Sequence, residues 1–288
     1  MYKAIPVCVF IILALPSSAF SQTYTEDFES SQLGDTVGST GIFRDFADEI
    51  IEQNGTNGSN GFRATGSIFG LNGFGSLPVS FGIEEIGDHL TFSVDTRVNI
   101  SQNTLTLNPS VPELIFNLNI FSNMSDGNFG QIFSQLRFDS VSETYFVSQG
   151  FSAQGTEFDF GAPEPITDLG FDGGFQGASD YFQFQLDIVK NGIADYDYKT
   201  SIFDQSGNLL NDNQFLGINL DPIFNFGQLE PSIGNFSGAL DVQDSIEFDN
   251  IRYQVTSVPE PNSLALLAFF LCHTCLKRKR YTEEKPRA

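Results

Sequence analysis

The sequence predicts an all-β protein, an antiparallel β-sandwich or jelly roll, on three observations. Apolar residues recur with a period of two, Gly- and Asn-rich turns interrupt them at short intervals, and 3.6-residue periodicity is confined to a short candidate helix around Arg44 to Glu52. In LTFSVDTRV, Leu90, Phe92, Val94 and Val98 share one face. In LIFNLNI, Phe116, Leu118 and Ile120 stand opposite Asn117 and Asn119, and in YFQFQLDIV, Phe182, Phe184, Leu186 and Ile188 alternate with Tyr181, Gln183, Gln185 and Asp187. Successive side chains of a strand point to opposite sides, so such alternation marks strands with one buried and one solvated face. FDGG, DQSGN and NGTNGSNG supply the Gly and Asn that tolerate the positive φ of chain reversals. No fixed-period repeat suggests a solenoid or propeller.

The chain begins MYKAIPVCVFIILALPSSAFSQ: one Lys, an apolar run from about Ile5 to Leu15, then small residues with Ala19 and Ser21 in the −3 and −1 places. This is the layout of a secretory signal peptide cleaved after Ser21, and the run is shorter than the ~20 residues of a membrane-spanning helix. Residues 22–257 then form one exported domain, 258–280 a C-terminal signal and 281–288 a cytoplasmic tail. The exported part holds 33 acidic and 7 basic residues, a surface that repels nucleic acid and stays soluble. It also holds nearly all of the 31 Phe residues, which a disordered chain would not keep. The three Cys residues, Cys8, Cys272 and Cys275, fall outside it, so the core must be stable without disulfides.

After the domain come Val258, Pro259, Glu260 and Pro261, a 13-residue apolar run at 264–276 interrupted by His273 and Thr274, and the basic cluster Lys277, Arg278, Lys279, Arg280. This order resembles the PEP-CTERM sorting signal of Gram-negative bacteria. The resemblance implies that an exosortase, a membrane peptidase, recognises Pro259, Glu260 and Pro261 and passes the body to the cell surface or extracellular matrix. Segment 264–276 would then hold the inner membrane only transiently, basic end inside. The polar interruptions and the trailing YTEEKPRA depart from the pattern.

YTEDFES near the start, SIEFDNIRYQV near the end, and the strand-turn-strand passage DYFQFQLDIVKNGIADYDYKTSIFDQSGNLL resemble concanavalin A-like or laminarinase-like jelly rolls, in which first and last strands lie together. In SIEFDNIRYQV, Ile246 and Phe248 share one phase while Ile251, Tyr253 and Val255 share the other, so a β-bulge is expected at Asp249-Asn250. The resemblance implies a structural calcium at Asp27 and Asp249, with Glu26 as a substitute ligand; carbonyls and waters would complete its six to eight oxygens. The alternative is solvated edge carboxylates beside a bulge.

Catalysis has little support. Glu157 and Asp159 in GTEFDFGAPE resemble part of the acidic strand of laminarinase-type glycoside hydrolases, but Gly161 and Ala162 stand where a third acid would fall, and Glu164 lies beyond a Pro. His89 is the one histidine of the exported part, expected as an exposed turn residue, and GLNGFG lacks both the spacing and the following helix of a dinucleotide loop. A non-catalytic protein associating with extracellular polysaccharide or matrix is therefore expected, with Tyr196, Tyr198 and Tyr181 as candidate sugar-stacking residues in a chain without Trp. Those tyrosines equally suit the core rim. A structural spacer without a ligand is the competing reading: an exposed row of Tyr and Asn on one concave sheet would favour binding, and charged, aromatic-free faces the spacer.

Overall fold

The computed structural model describes residues 20–34, 50–53, 55–65, 73–76, 82–100, 113–122, 130–139, 142–152, 156–172, 177–219, 229–237 and 245–257. The chain divides into Ser21–Thr256 and a second unit of Met1–Phe20 with Ser257–Ala288. Of the second unit only Phe20 and Ser257 are described. The apolar run of the signal peptide, the sorting residues Val258 to Pro261 and Lys277 to Arg280, and segment 264–276 lie outside the described residues.

The described strands are, in order, β1 Phe20–Glu26, β2 Ile50–Glu52, β3 Gly61–Thr65, β4 Gly73–Ser76, β5 His89–Ile100, β6 Glu113–Ser122, β7 Gly130–Asp139, β8 Thr144–Ser152, β9 Thr156–Phe160, β10 Glu164–Pro165, β11 Gly177–Ala178, β12 Phe182–Lys190, β13 Asp195–Asp204, β14 Leu209–Asn219, β15 Leu229–Ser237 and β16 Ser245–Ser257. They form two sheets. The nine-stranded sheet runs β14-β13-β12-β5-β16-β3-β2, with β1 on β16 and β11 on β5. The seven-stranded sheet runs β10-β8-β7-β6-β15-β4, with β9 on β8. The all-β antiparallel sandwich is as the sequence predicts, and its first and last strands do pair. Among the described residues no helix is long and apolar enough to cross a membrane.

One expectation is corrected. The end of the candidate helix at Arg44 to Glu52 is strand β2, with Ile50, Ile51 and Glu52 opposite Arg63, Phe62 and Gly61; residues 44–49 lie outside the described set. Two adjacent β-branched side chains lose less rotamer freedom in a strand than in a helix.

The core lies between the sheets. Leu90, Phe92, Val94, Phe184, Leu186, Ile188 and Ile202 of the larger sheet meet Leu118, Ile120, Ile132, Leu136, Phe138 and Val147 of the smaller one, all fully buried. Burying each such side chain contributes roughly 1.5–3 kcal/mol. Phe28, just past β1, closes one end: it is buried at φ 58° and packs edge-on against Phe62 at 5.3 Å, which in turn lies 4.7 Å from Phe248 of β16. The register of β16 against β5 shifts between Asp249 and Arg252, which is the expected bulge, and Asn250 adopts φ 46° there. The slip lets Phe248 and Ile251 both face the core while the Asn250 amide turns toward β5.

Candidate functional site

The three candidate tyrosines are all buried. Tyr196 and Tyr198 of β13 point between the sheets and are 1% and 0% exposed, so neither offers a face to a sugar. Their alternation with Asp195, Asp197 and Lys199 puts the aromatic phase inward, because the acids and the lysine need water more. The Tyr198 hydroxyl donates to the Phe133 carbonyl and lies 2.8 Å from Ser134 Oγ, and its burial raises its pKa well above the ordinary value of 10.0. Tyr181 is 6% exposed, beneath the Arg97 guanidinium at 5.0 Å; it alone of the three reaches the wall of a cavity.

The candidate calcium residues accept hydrogen bonds from the protein. Asp249 is fully buried: its Oδ2 accepts from Thr56 N (2.8 Å), Ser59 Oγ (2.7 Å) and Asn250 Nδ2 (3.2 Å), and its Oδ1 from Asn250 N (2.7 Å). Gly55 is required beside it, since a Cβ there would lie 2.8 Å from Asp249 Oδ2 and 2.5 Å from Ser59 Oγ. Asp27 is exposed and accepts from Glu29 N at 3.1 Å, while Glu26 Oε1 accepts from Phe28 N at 2.7 Å. Three donors meet Oδ2 and one meets Oδ1, so Asp249 anchors the loop of Thr56 and Ser59, and Oδ1 keeps acceptor capacity. Among the described residues no group of three or more His, Cys, Asp or Glu is placed to hold a metal.

His89 is exposed at the start of β5 and lies 2.9 Å from Asp187 Oδ1. Burial would raise the Asp187 carboxyl, but hydrogen bonds from His89, Gln185 and Thr91 outweigh it and hold the carboxyl below 3.8. The register aligns Glu157 with Phe151 and Asp159 with Gln149, the core-directed phase of β8, on a strand at the sheet edge.

The outward face of the smaller sheet carries the polar constellation that the sequence reading missed. Pairing across β6, β7, β8 and β9 sets Asn117 opposite Gln135, Gln135 opposite Ser148 and Ser148 opposite Phe160. One row away stands Arg137 opposite Phe146; on the other side, Asn119 lies opposite Phe133. Gln135 Oε1 accepts from Arg137 Nε (3.0 Å) and Ser148 Oγ (3.1 Å), and Gln131 Nε2 donates to Asn119 Oδ1 (2.7 Å). Both amide atoms of Asn117 and the Nδ2 of Asn119 are buried without a hydrogen-bond partner. Phe160 ends the row 55% exposed, edge-on to Phe146 at 6.1 Å and under the Arg137 guanidinium at 5.3 Å. The row thus joins amides, a hydroxyl and an exposed ring, and none of its members is acidic in a chain of net charge −22. The period-two polar phase Gln131, Gln135, Arg137 in GQIFSQLRFD carried the trace of this face in the sequence; the four-strand alignment did not show there.

No family model and no curated protein matches the chain. Several solved structures are similar to it. Alginate lyase Aly36B aligns with TM-score 0.49 at 14% identity, over 82% of this chain and 96% of its own. The CBM2 module of the evolved Dit of Lactobacillus casei BL23 phage J-1 aligns with TM-score 0.47 at 11% identity, over 83% and 98%. Peanut lectin aligns with TM-score 0.46 at 10% identity, over 82% and 99%. Likeness at this level assigns no function to this chain.

Proposed function

We propose that the protein binds polysaccharide along the outward face of its smaller sheet, without catalysis, after export and sorting to the cell surface. The observation that carries this reading is the accessible part of that face, Gln131, Gln135 and Arg137 beside the exposed Phe160 ring, with Asn117 and Ser148 buried in the same row. Amides and hydroxyls both donate and accept, as sugar hydroxyls do, and an exposed ring at the end of the row offers an apolar face for stacking. From Gln135 on β7 to Phe160 on β9 is two spacings of ~4.8 Å, about 10 Å, suited to two linked sugars rather than one. The signal-peptide and PEP-CTERM resemblances support export and exosortase processing, and extracellular polysaccharide is the partner available at that address.

Affinity electrophoresis of the full-length chain through gels containing neutral or acidic polysaccharides tests the proposal, with the melting temperature followed in parallel. Phe160→Ala should weaken retardation tenfold or more and barely move the melting temperature, since the ring is largely solvated. Gln135→Ala should also weaken retardation, because it removes the accessible amide of the face. Retardation by no polysaccharide, or retardation indifferent to both substitutions, would leave the structural spacer as the function.

A further inference from the structure

The nine-stranded sheet carries a separate cleft of about 450 Å³ on its outward face. Its floor is the row Asp95, Gln183, Phe203, aligned across β5, β12 and β13. Tyr181 and Thr56 also line it, and Ser206 stands on the opposite wall. Both walls are fixed by carboxylates. Asp249 holds the loop of Thr56 through its backbone N–H, and Asp204 Oδ1 accepts from Ser206 N and Asn208 N, both at 2.8 Å, to shape the turn that bears Ser206. Asp95 Oδ2 accepts from Asn250 Nδ2 at 2.9 Å and its Oδ1 from Gln183 Nε2 at 3.4 Å. A carboxylate has about four acceptor sites, and the buried Thr56 hydroxyl also stands against Asp95, so roughly one remains for a ligand hydroxyl.

We propose that this cleft is a second saccharide site, sized for one uncharged pyranose ring stacked on Phe203 with a hydroxyl donated to Asp95, so that the domain holds glycan on both outward faces. Only the two-faced part rests on the reading of the Asn117 row; the cleft stands on its own geometry. The volume lies within the range of small-ligand sites. An amide, an acceptor carboxylate and an aromatic ring are complementary to a ring with polar edges and an apolar face. No lining residue is basic, and Asp95 and Asp204 both face the cleft, so a uronic acid would meet like charge there. Occupied together, the two faces would cross-link polysaccharide chains.

Saturation-transfer NMR on the full-length chain, with glucose, galactose, mannose, N-acetylglucosamine and glucuronic acid as separate probes, tests the cleft. Saturable binding of at least one uncharged sugar is expected, with glucuronic acid at least tenfold weaker. Phe203→Ala should weaken the monosaccharide tenfold or more. Ser206→Trp, at an exposed turn position, should block it with little risk to the fold. Gln135→Ala should leave monosaccharide binding intact while weakening retention by polymer, which separates failure of the cleft from failure of the opposite face. Binding of no uncharged sugar, equal binding of glucuronic acid, or indifference to both cleft substitutions overturns the proposal.

Discussion

The Tyr198 hydroxyl of one sheet lies 2.8 Å from Ser134 Oγ of the other, in the middle of the sandwich. The donors can be ordered. With the Gln149 amide oriented to satisfy its surroundings, Nε2 donates to Thr200 Oγ1 at 3.0 Å. Thr200 then donates to Ser134 at 2.6 Å, Ser134 to Tyr198, and Tyr198 to the Phe133 carbonyl. Each hydroxyl receives one proton and passes one on, which is how a polar chain survives in a low-dielectric interior.

Tyr198→Phe removes the terminal donor and leaves Ser134 without its acceptor. The expected loss is about 1–3 kcal/mol, or a fall of roughly 2–10 °C in melting temperature for a domain of this size. Glycan retention of the folded variant should equal that of the parent. A loss of retention at unchanged stability would return Tyr198 to the binding site and sink the burial argument.

Asp249 tests the loop anchor against a metal ligand. Asp249→Ala leaves Thr56 N–H and Ser59 Oγ short of a shared acceptor and should cost about 2–4 kcal/mol. If the carboxylate acts through those donors, a chelator leaves the melting temperature of the parent unchanged and added calcium does not raise it. A rise of several degrees with calcium, absent in Asp249→Ala, would establish the metal site.

Stability should depend on pH in two opposed limbs. Asp187 has its pKa held below 3.8, so its stabilisation is present above ~4 and is lost as the pH falls through its folded value. Asp95 is raised above 3.8 by burial, only partly offset by hydrogen bonds from Asn250 and Gln183, with Asp249 nearby adding to the rise; Glu26 is raised above 4.5, again by burial. For these two the folded state binds the proton more tightly, so stability falls as pH rises through their folded values and their cost is full at neutrality. The melting temperature should therefore rise as the pH is lowered through the folded values of Asp95 and Glu26, which lie above 3.8 and 4.5, and fall again as it passes that of Asp187, below 3.8. Asp187→Asn should flatten the acid limb alone; a curve that rises steadily toward pH 7 would refute the assignment of Asp95.

The fold was legible because its signals are local. The alternation at Leu90 to Val98 and Phe182 to Ile188, and even the slip at Asp249-Asn250, are decided within one strand, since a side chain's phase follows from its neighbours. Tyr196 and Tyr198 show the limit: their phase was readable, but which phase faced inward depended on the opposite sheet supplying Ser134 and Phe133. Asn117, Gln135, Ser148 and Phe160 come from four strands and become a row only through registers that no short stretch encodes. Asp249 was found for its position, but its anchoring of a loop was not, because Thr56 and Ser59, which donate to it, lie some 190 residues away.

Gln149 also closes an edge, which gives the last prediction. Strand β14 borders the nine-stranded sheet, and the Gln149 side chain, reaching across from β8, accepts from Gln214 N at 3.1 Å and Phe215 N at 3.0 Å and donates to the Asn213 carbonyl at 3.2 Å. An unpaired edge invites another strand, and β14 carries exposed Leu209 and Leu216. Gln149→Leu keeps the volume and removes every one of these bonds, together with the donor that starts the hydroxyl chain. The Gln214 and Phe215 amides should then exchange with solvent at least tenfold faster while those of Lys199 and Ser201 in β13 keep their protection, and the variant should self-associate by light scattering as concentration rises. Unchanged protection at Gln214 and Phe215 would mean that β14 is held by its pairing with β13 alone, and that the crossing amide is not what guards the edge.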